Sequence, residues 1–319
     1  MSARHLLAIG DLGREGIERI LARAESFAEV AGRPIKKVPT LRGRTVINLF
    51  MEPSTRTQSS FELAAKRLSA DVVTVKAQGS SVEKGESFKD TVLTLSAYDP
   101  SAIVVRAPHA GAAALVARWS RASVINAGDG KHEHPTQALL DLFTLRRRLG
   151  RLDGLRVWII GDVAHSRVAR SGIVALRTMG CEVTVCGPPT LVPRAIAELG
   201  CSVRYDLAGV ERADVIYALR VQRERIAGIV APSLREYVER WQIDGRRLRP
   251  GQVVMHPGPV NRGVELASEV CDSPQSLIVD QVEAGVAVRM AVLYELLAGA
   301  GGDGARLSAG REQEAPQPA

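Results

Sequence analysis

Four consecutive residues, Ser54, Thr55, Arg56 and Thr57, combine three hydroxyl groups with one guanidinium group. They follow the apolar, β-branched run 45–50, which is typical of a buried strand, and they precede apolar residues at helical spacing. The first N–H groups of a helix have no partner within the helix, and the helix dipole adds partial positive charge there. Hydroxyl donors and the planar fork of Arg56 suit a phosphate or a carboxylate. The pattern therefore predicts an anion-binding site between a strand and a helix.

The same four residues also allow a purely structural interpretation, in which Ser54 caps the helix and Arg56 lies in solvent. The stretch lacks the glycines and the lysine of a P-loop, so a small phosphate suits it better than a nucleotide. Cationic and polar residues recur at the ends of later predicted strands, which a lone helix cap does not explain. These residues are Arg106, His134, Arg167, Arg220 and the turn His256-Pro257-Gly258-Pro259. Ligands of open α/β sheets bind beyond the carboxyl ends of the strands, so we expect these side chains to line one cleft.

Strands and helices are predicted to alternate along most of the chain, which indicates the α/β class. We predict two doubly wound parallel-sheet domains with the active site in the cleft between them. A polar, glycine-rich stretch near residue 150 separates the predicted first domain, 1–150, from the second, 151–298. The final helix, 280–298, is expected to pack back on the first domain. Residues 299–319 are rich in Gly, Ala, Pro and charge and are predicted to be a disordered tail.

Composition limits the class of protein and the kind of partner. The 319 residues are 45% hydrophobic and 24% charged, which is typical of globular proteins, and no apolar stretch is long enough to cross a bilayer. The four cysteines form no C-x-x-C pair, so neither a zinc site nor a disulfide framework is indicated, and a reducing, cytoplasmic location is expected. The net charge of +7 is compatible with nucleic acid, but only 4% of residues are aromatic and the basic residues are dispersed. We therefore expect a small anionic substrate, with no nucleic acid and no membrane as partner.

Taken together, these motifs resemble the aspartate carbamoyltransferase catalytic chain of the aspartate/ornithine carbamoyltransferase superfamily. The resemblance extends from about Arg4 to Leu297. Its motifs, in order, are Ser54-Thr55-Arg56-Thr57, Lys84-Gly85-Glu86, Arg106, His134-Pro135-Thr136-Gln137, Arg167, Arg220-Val221-Gln222 and His256-Pro257-Gly258-Pro259. The resemblance implies transfer of the carbamoyl group of carbamoyl phosphate to the amine of L-aspartate. The products would be N-carbamoyl-L-aspartate and phosphate, in de novo pyrimidine (UMP) biosynthesis.

The resemblance also implies a role for each matching residue. The implied ligands of carbamoyl phosphate are Ser54, Thr55, Arg56, Thr57, Ser80, Lys84, Arg106, His134, Gln137, Gly258 and Pro259. The implied ligands of L-aspartate are Lys84, Arg167, Arg220 and Gln222. The implied catalytic residues are Arg56, Thr57, Arg106 and His134. No metal and no cofactor is expected.

The polar loop 79–86 would act on a neighbouring subunit under this resemblance. Ser80 and Lys84 would enter the neighbour's site, so the active unit would be a homotrimer with shared sites; whether Ser80 or Ser81 is the ligand stays open. Gly258 stands where some relatives carry leucine, which resembles the branch found with dihydroorotase partners. Association with dihydroorotase or with a regulatory chain is therefore also open. Pro53 and Gln58 depart from the family pattern beside the phosphate loop, with a kinetic effect that the sequence does not specify.

Two alternatives within the same fold remain. An ornithine carbamoyltransferase would carry a cysteine in the later turn and an acidic loop with Ser-Met-Gly, whereas this chain carries Gly258, Arg220 and Gln222. Two cations favour a dicarboxylate acceptor over ornithine. A catalytically silent paralogue that scaffolds dihydroorotase would lack phosphate ligands, yet all of them are present here.

Overall fold

Two parallel β-sheets organise the protein, which a computed structural model describes for residues 4–77, 85–221 and 233–298. The strands of the first sheet lie in the order β2-β1-β3-β4, and those of the second lie in the order β7-β6-β5-β8-β9. All strand pairs within both sheets are parallel. The strands are β1 (Thr45–Phe50), β2 (Asp71–Lys76), β3 (Ala102–Ala107), β4 (Ser123–Asp129), β5 (Arg156–Ile160), β6 (Glu182–Cys186), β7 (Ser202–Arg204), β8 (Val215–Ala218) and β9 (Val253–Met255). The predicted fold class, with two parallel-sheet α/β units, is confirmed.

Helices connect the strands and cover the sheets, as parallel pairing requires. Within the described residues, the α-helices are α1 (Gly13–Ala31), α2 (Thr55–Arg67), α3 (Phe88–Ser96), α4 (Ala112–Trp119), α5 (Pro135–Leu149), α6 (Arg167–Thr178), α7 (Leu234–Trp241), α8 (Ser268–Cys271) and α9 (Ile278–Leu297). None of these helices is both long enough and apolar enough to cross a membrane.

The last helix, α9, packs against helices from the first half of the chain. α9 follows the second sheet but packs against α1, α2 and α5, which belong to the first half of the chain. It begins at Ile278, two residues before the predicted start, and its buried residues lie on most sides of the helix. A helix that is apolar nearly all round must be covered on all sides, which explains why it lies between other helices.

An apolar core runs through both halves of the chain without a break. Leu139 and Leu142 on α5 belong to the same buried cluster as Ile173 and Leu176 on α6, and these two helices pack directly against each other. The predicted boundary near residue 150 falls in the connection between α5 and β5. The cluster fixes how the two sheets face each other across the cleft.

The order of the strands creates one crevice in each sheet. The chain adds β2 on one side of β1 and then adds β3 on the other side, so the order in which strands are added reverses between β1 and β3. The same reversal occurs between β5 and β8. Ligands of open α/β sheets bind beyond the carboxyl ends of the strands at such reversals. The residues that follow or end these four strands are Ser54–Thr57 after β1, Arg106 in β3, Arg167 after β5 and Arg220 after β8.

Candidate active site

A cavity of about 970 Å³ lies between the two sheets, and the predicted site residues of the described chain line it. They are Ser54, Thr55, Arg56, Thr57, Arg106, His134, Gln137, Arg167, Arg220, Gly258 and Pro259. The guanidinium of Arg56 and the imidazole of His134 therefore face the same space. Three further predicted ligands, Ser80, Lys84 and Gln222, lie outside the described residues.

The start of α2, where the sequence predicts an anion site, lines this cavity. Ser54 occupies the N-cap position in an extended conformation, but its side chain makes no capping hydrogen bond. The first turn contains no acidic residue, and Thr57 in that turn is buried. The capping interpretation of Ser54 therefore does not describe this helix, and no carboxylate in its own first turn offsets its dipole.

Arg56 reaches from α2 to the turn that follows β9. A Cβ atom placed on Gly258 would lie 2.5 Å from the Cζ atom of Arg56, and the backbone φ of Gly258 is +68°. The guanidinium thus occupies the space that a side chain at residue 258 would need. The proximity of Arg56 and Gly258 brings the stretch 54–57 of the first half against the turn 256–259 of the second half.

Glu52 holds two of the arginines that enter the cavity. Its Oε2 atom accepts a hydrogen bond of 2.7 Å from Nη2 of Arg167 and lies 3.6 Å from Nε of Arg106. Arg167 also donates to the carbonyl oxygen of Gly130 at 3.1 Å. A Cβ atom on Gly128 would lie 2.9 Å from Nε of Arg167, so glycine leaves room for this side chain. Glu52 therefore links the first half of the chain to α6 and partly neutralises the positive charge of the cavity.

His134 is a neutral imidazole at the start of α5. Burial lowers the pKa of its side chain well below 6.5, and the charges of Arg106, Arg289 and Arg167 lower it further. Its backbone N–H donates to Oγ of Ser171 on α6 at 2.8 Å, and Pro135 occupies the first helical position. A neutral imidazole carries one N–H group, so His134 can donate one hydrogen bond without adding charge to the site.

The turn 256–259 has its shape set by a second buried histidine. Nδ1 of His256 accepts a hydrogen bond of 2.8 Å from the backbone N–H of Gly258, while Nε2 lies 3.1 Å from Oε1 of Glu265. Burial is the main cause that lowers the pKa of His256. Because Nδ1 is an acceptor, the Nε2 atom carries the proton and donates to Glu265.

The structure adds site residues that sequence reasoning missed. Glu52, Gln281 and Arg289 line the cavity beside the predicted ligands. Arg289 is 4% exposed and donates from Nη1 to Oγ of Ser60 at 2.7 Å; burial lowers its pKa to about 10, which leaves it charged at neutral pH. A single arginine within the apolar stretch 286–293 is the sequence signal that could have identified it.

Comparison with known proteins assigns this fold and site to a family. The aspartate/ornithine carbamoyltransferase carbamoyl-P binding domain matches residues 4–147, and the Asp/Orn binding domain of the same family matches residues 153–296. The chain therefore belongs to the aspartate/ornithine carbamoyltransferase family, as the sequence motifs predicted.

Individual relatives place the chain more closely within that family. The aspartate carbamoyltransferase catalytic subunit of Acidothermus cellulolyticus is 57% identical over 300 residues, which cover 93% of each chain. The structure of aspartate transcarbamoylase from Trypanosoma cruzi in complex with carbamoyl phosphate and aspartate superposes with a TM-score of 0.83 and 31% identity, covering 92% of this chain and 96% of that one. Ornithine carbamoyltransferase from Pyrococcus furiosus superposes with a TM-score of 0.82 and 30% identity, covering 93% of this chain and 98% of that one.

Proposed function

We propose that this protein is a carbamoyltransferase that uses carbamoyl phosphate and L-aspartate. The observation that carries the proposal is the convergence of Arg56, Arg106, Arg167 and Arg220 with the neutral His134 on one cavity. The high identity to aspartate carbamoyltransferase catalytic subunits supports the choice of reaction. The products are N-carbamoyl-L-aspartate and phosphate, and the reaction belongs to de novo pyrimidine biosynthesis.

Both substrates are anions, so the site must first offset their mutual repulsion. In this proposal the start of α2, with Ser54, Thr55, Arg56 and Thr57, binds the phosphate group, because helix N–H groups, hydroxyl groups and a guanidinium meet there. Arg106 lies next to this loop, since Phe50 and Arg106 are paired on adjacent strands, and it can reach both the phosphate and the carbonyl oxygen. Gln137 and the backbone of Gly258 and Pro259 line the part of the cavity left for the carbamoyl amide.

The acceptor carboxylates are assigned to the second half of the cavity. Arg167 and Arg220 follow the central strands β5 and β8, and both line the cavity. Two cations match the two carboxylates of aspartate, whereas the side-chain ammonium of ornithine would be repelled. Lys84 and Gln222 remain proposed ligands from the parts of the chain outside the described residues.

The transfer step needs stabilisation of negative charge on the carbonyl oxygen. The amine nitrogen of aspartate attacks the carbonyl carbon, the C–O bond to phosphate then breaks, and the departing phosphate takes the amine proton. His134, Thr57 and Arg106 are the donors available to the developing oxyanion, and one such donor can contribute about 10²–10³ in rate. Holding the two substrates together supplies a further large part of the acceleration. All phosphate ligands of the described chain are present, which disfavours a silent scaffold.

The active unit is proposed to be a homotrimer with shared sites. Ser80 and Lys84 follow β2, an edge strand, and within the described chain no residue of β2 or of 85–96 lines the cavity. In this proposal the segment 78–84, which follows the edge strand in sequence, enters a neighbour's cavity. Val73 in β2 and Leu93 in α3 expose apolar side chains, which a contact between subunits could cover. The proposal extends to dihydroorotase or a regulatory chain as a further partner.

A cytoplasmic location belongs to the same proposal. Burial raises the pKa of the Cys181 and Cys186 thiols to about 12, and all four cysteines are free. Free, protonated thiols are typical of proteins in a reducing compartment.

Product analysis tests the reaction directly. The purified chain is incubated with carbamoyl phosphate and either L-aspartate or L-ornithine, and N-carbamoyl-L-aspartate is separated from citrulline. We expect N-carbamoyl-L-aspartate only. Citrulline as the main product, or no product with either acceptor, would overturn the proposal.

Arg220→Ala tests the assignment of the two half-sites. Removal of one carboxylate ligand is expected to raise the KM for aspartate by about tenfold or more, with the KM for carbamoyl phosphate changed little. Initial rates measured over both substrate concentrations give the two constants. A larger effect on carbamoyl phosphate would contradict the assignment.

A further inference from the structure

A buried carboxyl group behind the cavity receives three hydrogen bonds from three different elements. Asp141 on α5 is 4% exposed. Its Oδ1 atom accepts from Nε2 of Gln137 at 2.9 Å and from Nε2 of Gln281 at 2.7 Å, and its Oδ2 atom accepts from the hydroxyl of Tyr217 at 2.6 Å. Gln137 precedes Asp141 by one helical turn, Tyr217 lies in β8 and Gln281 lies in α9. The carboxyl group therefore joins α5, strand β8 of the second sheet and the last helix.

Donation to Asp141 decides which way the Gln137 side chain points. An ionised carboxylate only accepts hydrogen bonds, so the nitrogen end of the Gln137 amide must face it. The amide is planar, with oxygen and nitrogen on opposite branches, and Gln137 lines the cavity. The amide oxygen is consequently the end left for a substrate. An oxygen acceptor suits the N–H groups of a carbamoyl amide. If the NH₂ group of Gln137 faced the substrate instead, two hydrogen-bond donors would face each other.

The same carboxyl group acts on the turn on the other side of the cavity. Because Gln281 donates to Asp141, its Oε1 atom is left to accept, and it does so from the backbone N–H of His256 at 3.0 Å. His256 begins the turn that carries Gly258 and Pro259. Asp141 thus orients two amides, that of Gln137 on α5 and that of Gln281, which holds the turn 256–259.

We propose that Asp141 is a positioning residue that fixes the amide oxygen of Gln137 toward the carbamoyl group and holds the turn 256–259 through Gln281. This inference rests on the proposed function, since it assigns Gln137 to the carbamoyl amide.

The charged groups around Asp141 are compatible with this role. Arg289 on α9 lies near the carboxyl group and lowers its pKa, as do the hydrogen bonds from Tyr217, Gln281 and Gln137, but burial is the largest effect and raises the pKa to about 7. Burial and the neighbouring carboxylate raise the pKa of Tyr217 well above its ordinary value, so its hydroxyl stays protonated and remains a donor. Assays at about pH 8.5 keep Asp141 ionised and are therefore the conditions for the test.

A double-mutant cycle between Asp141 and Gln137 separates positioning from general damage. Four full-length chains are compared at about pH 8.5: wild type, Asp141→Ala, Gln137→Ala and the double variant. We expect Asp141→Ala to lower kcat/KM for carbamoyl phosphate by about tenfold in the wild-type background. In the Gln137→Ala background the same change should cost clearly less, about threefold, because Gln137 is already absent and only the hold on the turn 256–259 through Gln281 is lost. An equal loss in both backgrounds would overturn the proposal.

Tyr217→Phe is the matched control for stability. It removes a hydrogen bond to the same buried carboxyl group but leaves both bonds to Oδ1. We expect a lower Tm with kcat/KM for carbamoyl phosphate within about twofold of wild type. A loss of kcat/KM as large as that of Asp141→Ala would show general damage to the region and would also overturn the proposal.

Two further readouts keep the test decisive. If Asp141→Ala does not fold, Asp141→Asn replaces it in the cycle. The asparagine has nearly the same volume, but its NH₂ group faces one of the three donors that Asp141 accepts from. The coupling to Gln137 is then expected to have the same sign and a smaller size. The wild-type and Gln137→Ala chains test the proposed function separately. Inactive wild type would defeat that function, whereas active wild type with an additive cycle would defeat only the role of Asp141.

Discussion

At the scale of single residues, the cavity combines permanent cations with one uncharged donor. In the proposed mechanism the arginines attract both substrates, whereas burial and the charges of Arg106, Arg289 and Arg167 keep His134 neutral. A neutral imidazole can approach a carbonyl oxygen that gains charge only during the reaction, and it does not bind phosphate as an ion. The residue types therefore separate substrate capture from stabilisation of the transition state.

The low pKa of His134 makes the folded protein sensitive to acid. The unfolded imidazole takes up a proton as the pH falls below 6.5, whereas the folded one does not until a lower pH. The free energy of unfolding should thus be highest above pH 6.5 and should fall on acidification, by up to about 1.4 kcal/mol per pH unit for this group. Urea unfolding of wild type and His134→Gln between about pH 5 and 8 measures the difference. Identical slopes for the two chains would contradict a depressed pKa.

Gly258 is a second residue whose type matters, because Arg56 lies where its side chain would be. Gly258→Ala places a Cβ atom 2.5 Å from Cζ of Arg56 at a φ of +68°, so the guanidinium must move. We expect the KM for carbamoyl phosphate to rise by about tenfold, together with a loss of about 1 kcal/mol in stability from the backbone strain.

Gly263→Ala provides the control for that strain. Gly263 has a similar φ of +82°, but a Cβ atom there meets no atom within 4 Å. We expect the same loss of stability with unchanged kinetic constants, measured by thermal unfolding and by initial rates. Equal kinetic effects of the two variants would show that displacement of Arg56 is not the cause.

At the scale of elements, helix starts supply much of the site. α2 and α5 both begin at the cavity without a side-chain cap, whereas α6 and α7 begin with serines that do cap, through Ser166 and Ser233. An uncapped helix start costs stability, typically about 1 kcal/mol. α1, α4, α8 and α9 also begin without a side-chain cap, but only α2 and α5 are proposed to bind carbamoyl phosphate with their first residues.

Ser54→Asp exposes this conflict between stability and binding. Aspartate is a good N-cap and suits the helix dipole, so Tm should stay equal or rise, by an amount equivalent to about 0.5–1 kcal/mol. The same charge repels phosphate, so the KM for carbamoyl phosphate should increase by about tenfold or more. Ser233→Asp at the start of α7 is the control, with kinetics unchanged. A wild-type KM in Ser54→Asp would argue against phosphate binding at α2.

At the scale of the whole molecule, the cavity exists only where the two sheets meet. Glu52 and Arg167, Arg56 and Gly258, and Asp141 and Tyr217 each bring together residues from opposite sides of residue 150. Relative movement of the halves would therefore alter the proposed phosphate ligands and the proposed carboxylate ligands together. The proposed trimer extends this dependence to a neighbouring subunit.

Mixing of two inactive variants tests whether sites are shared between subunits. Lys84→Ala and His134→Ala chains are each expected to be nearly inactive. After subunit exchange at equal amounts, about one quarter of the sites should carry neither change if each site combines His134 of one chain with Lys84 of the next. Recovery of about a quarter of wild-type activity is expected, with mass spectrometry to confirm exchange. Confirmed hybrids without any recovery would exclude shared sites.

Local pattern in the sequence determined the parallel α/β class, the strand 45–50 and the list of cationic residues at strand ends. These features follow from hydrophobic period and from residues adjacent along the chain, which is why Ser54 to Thr57 could be interpreted as an anion site without coordinates. Contacts between residues far apart in sequence were decided only by the tertiary structure. The neutral state of His134, the space for Arg56 beside Gly258, the burial of Arg289 and the orientation of Gln137 by Asp141 all depend on which side chains the folded core excludes from water. Burial and long-range charge set pKa values and hydrogen-bond direction, and neither is encoded in any short stretch of the chain.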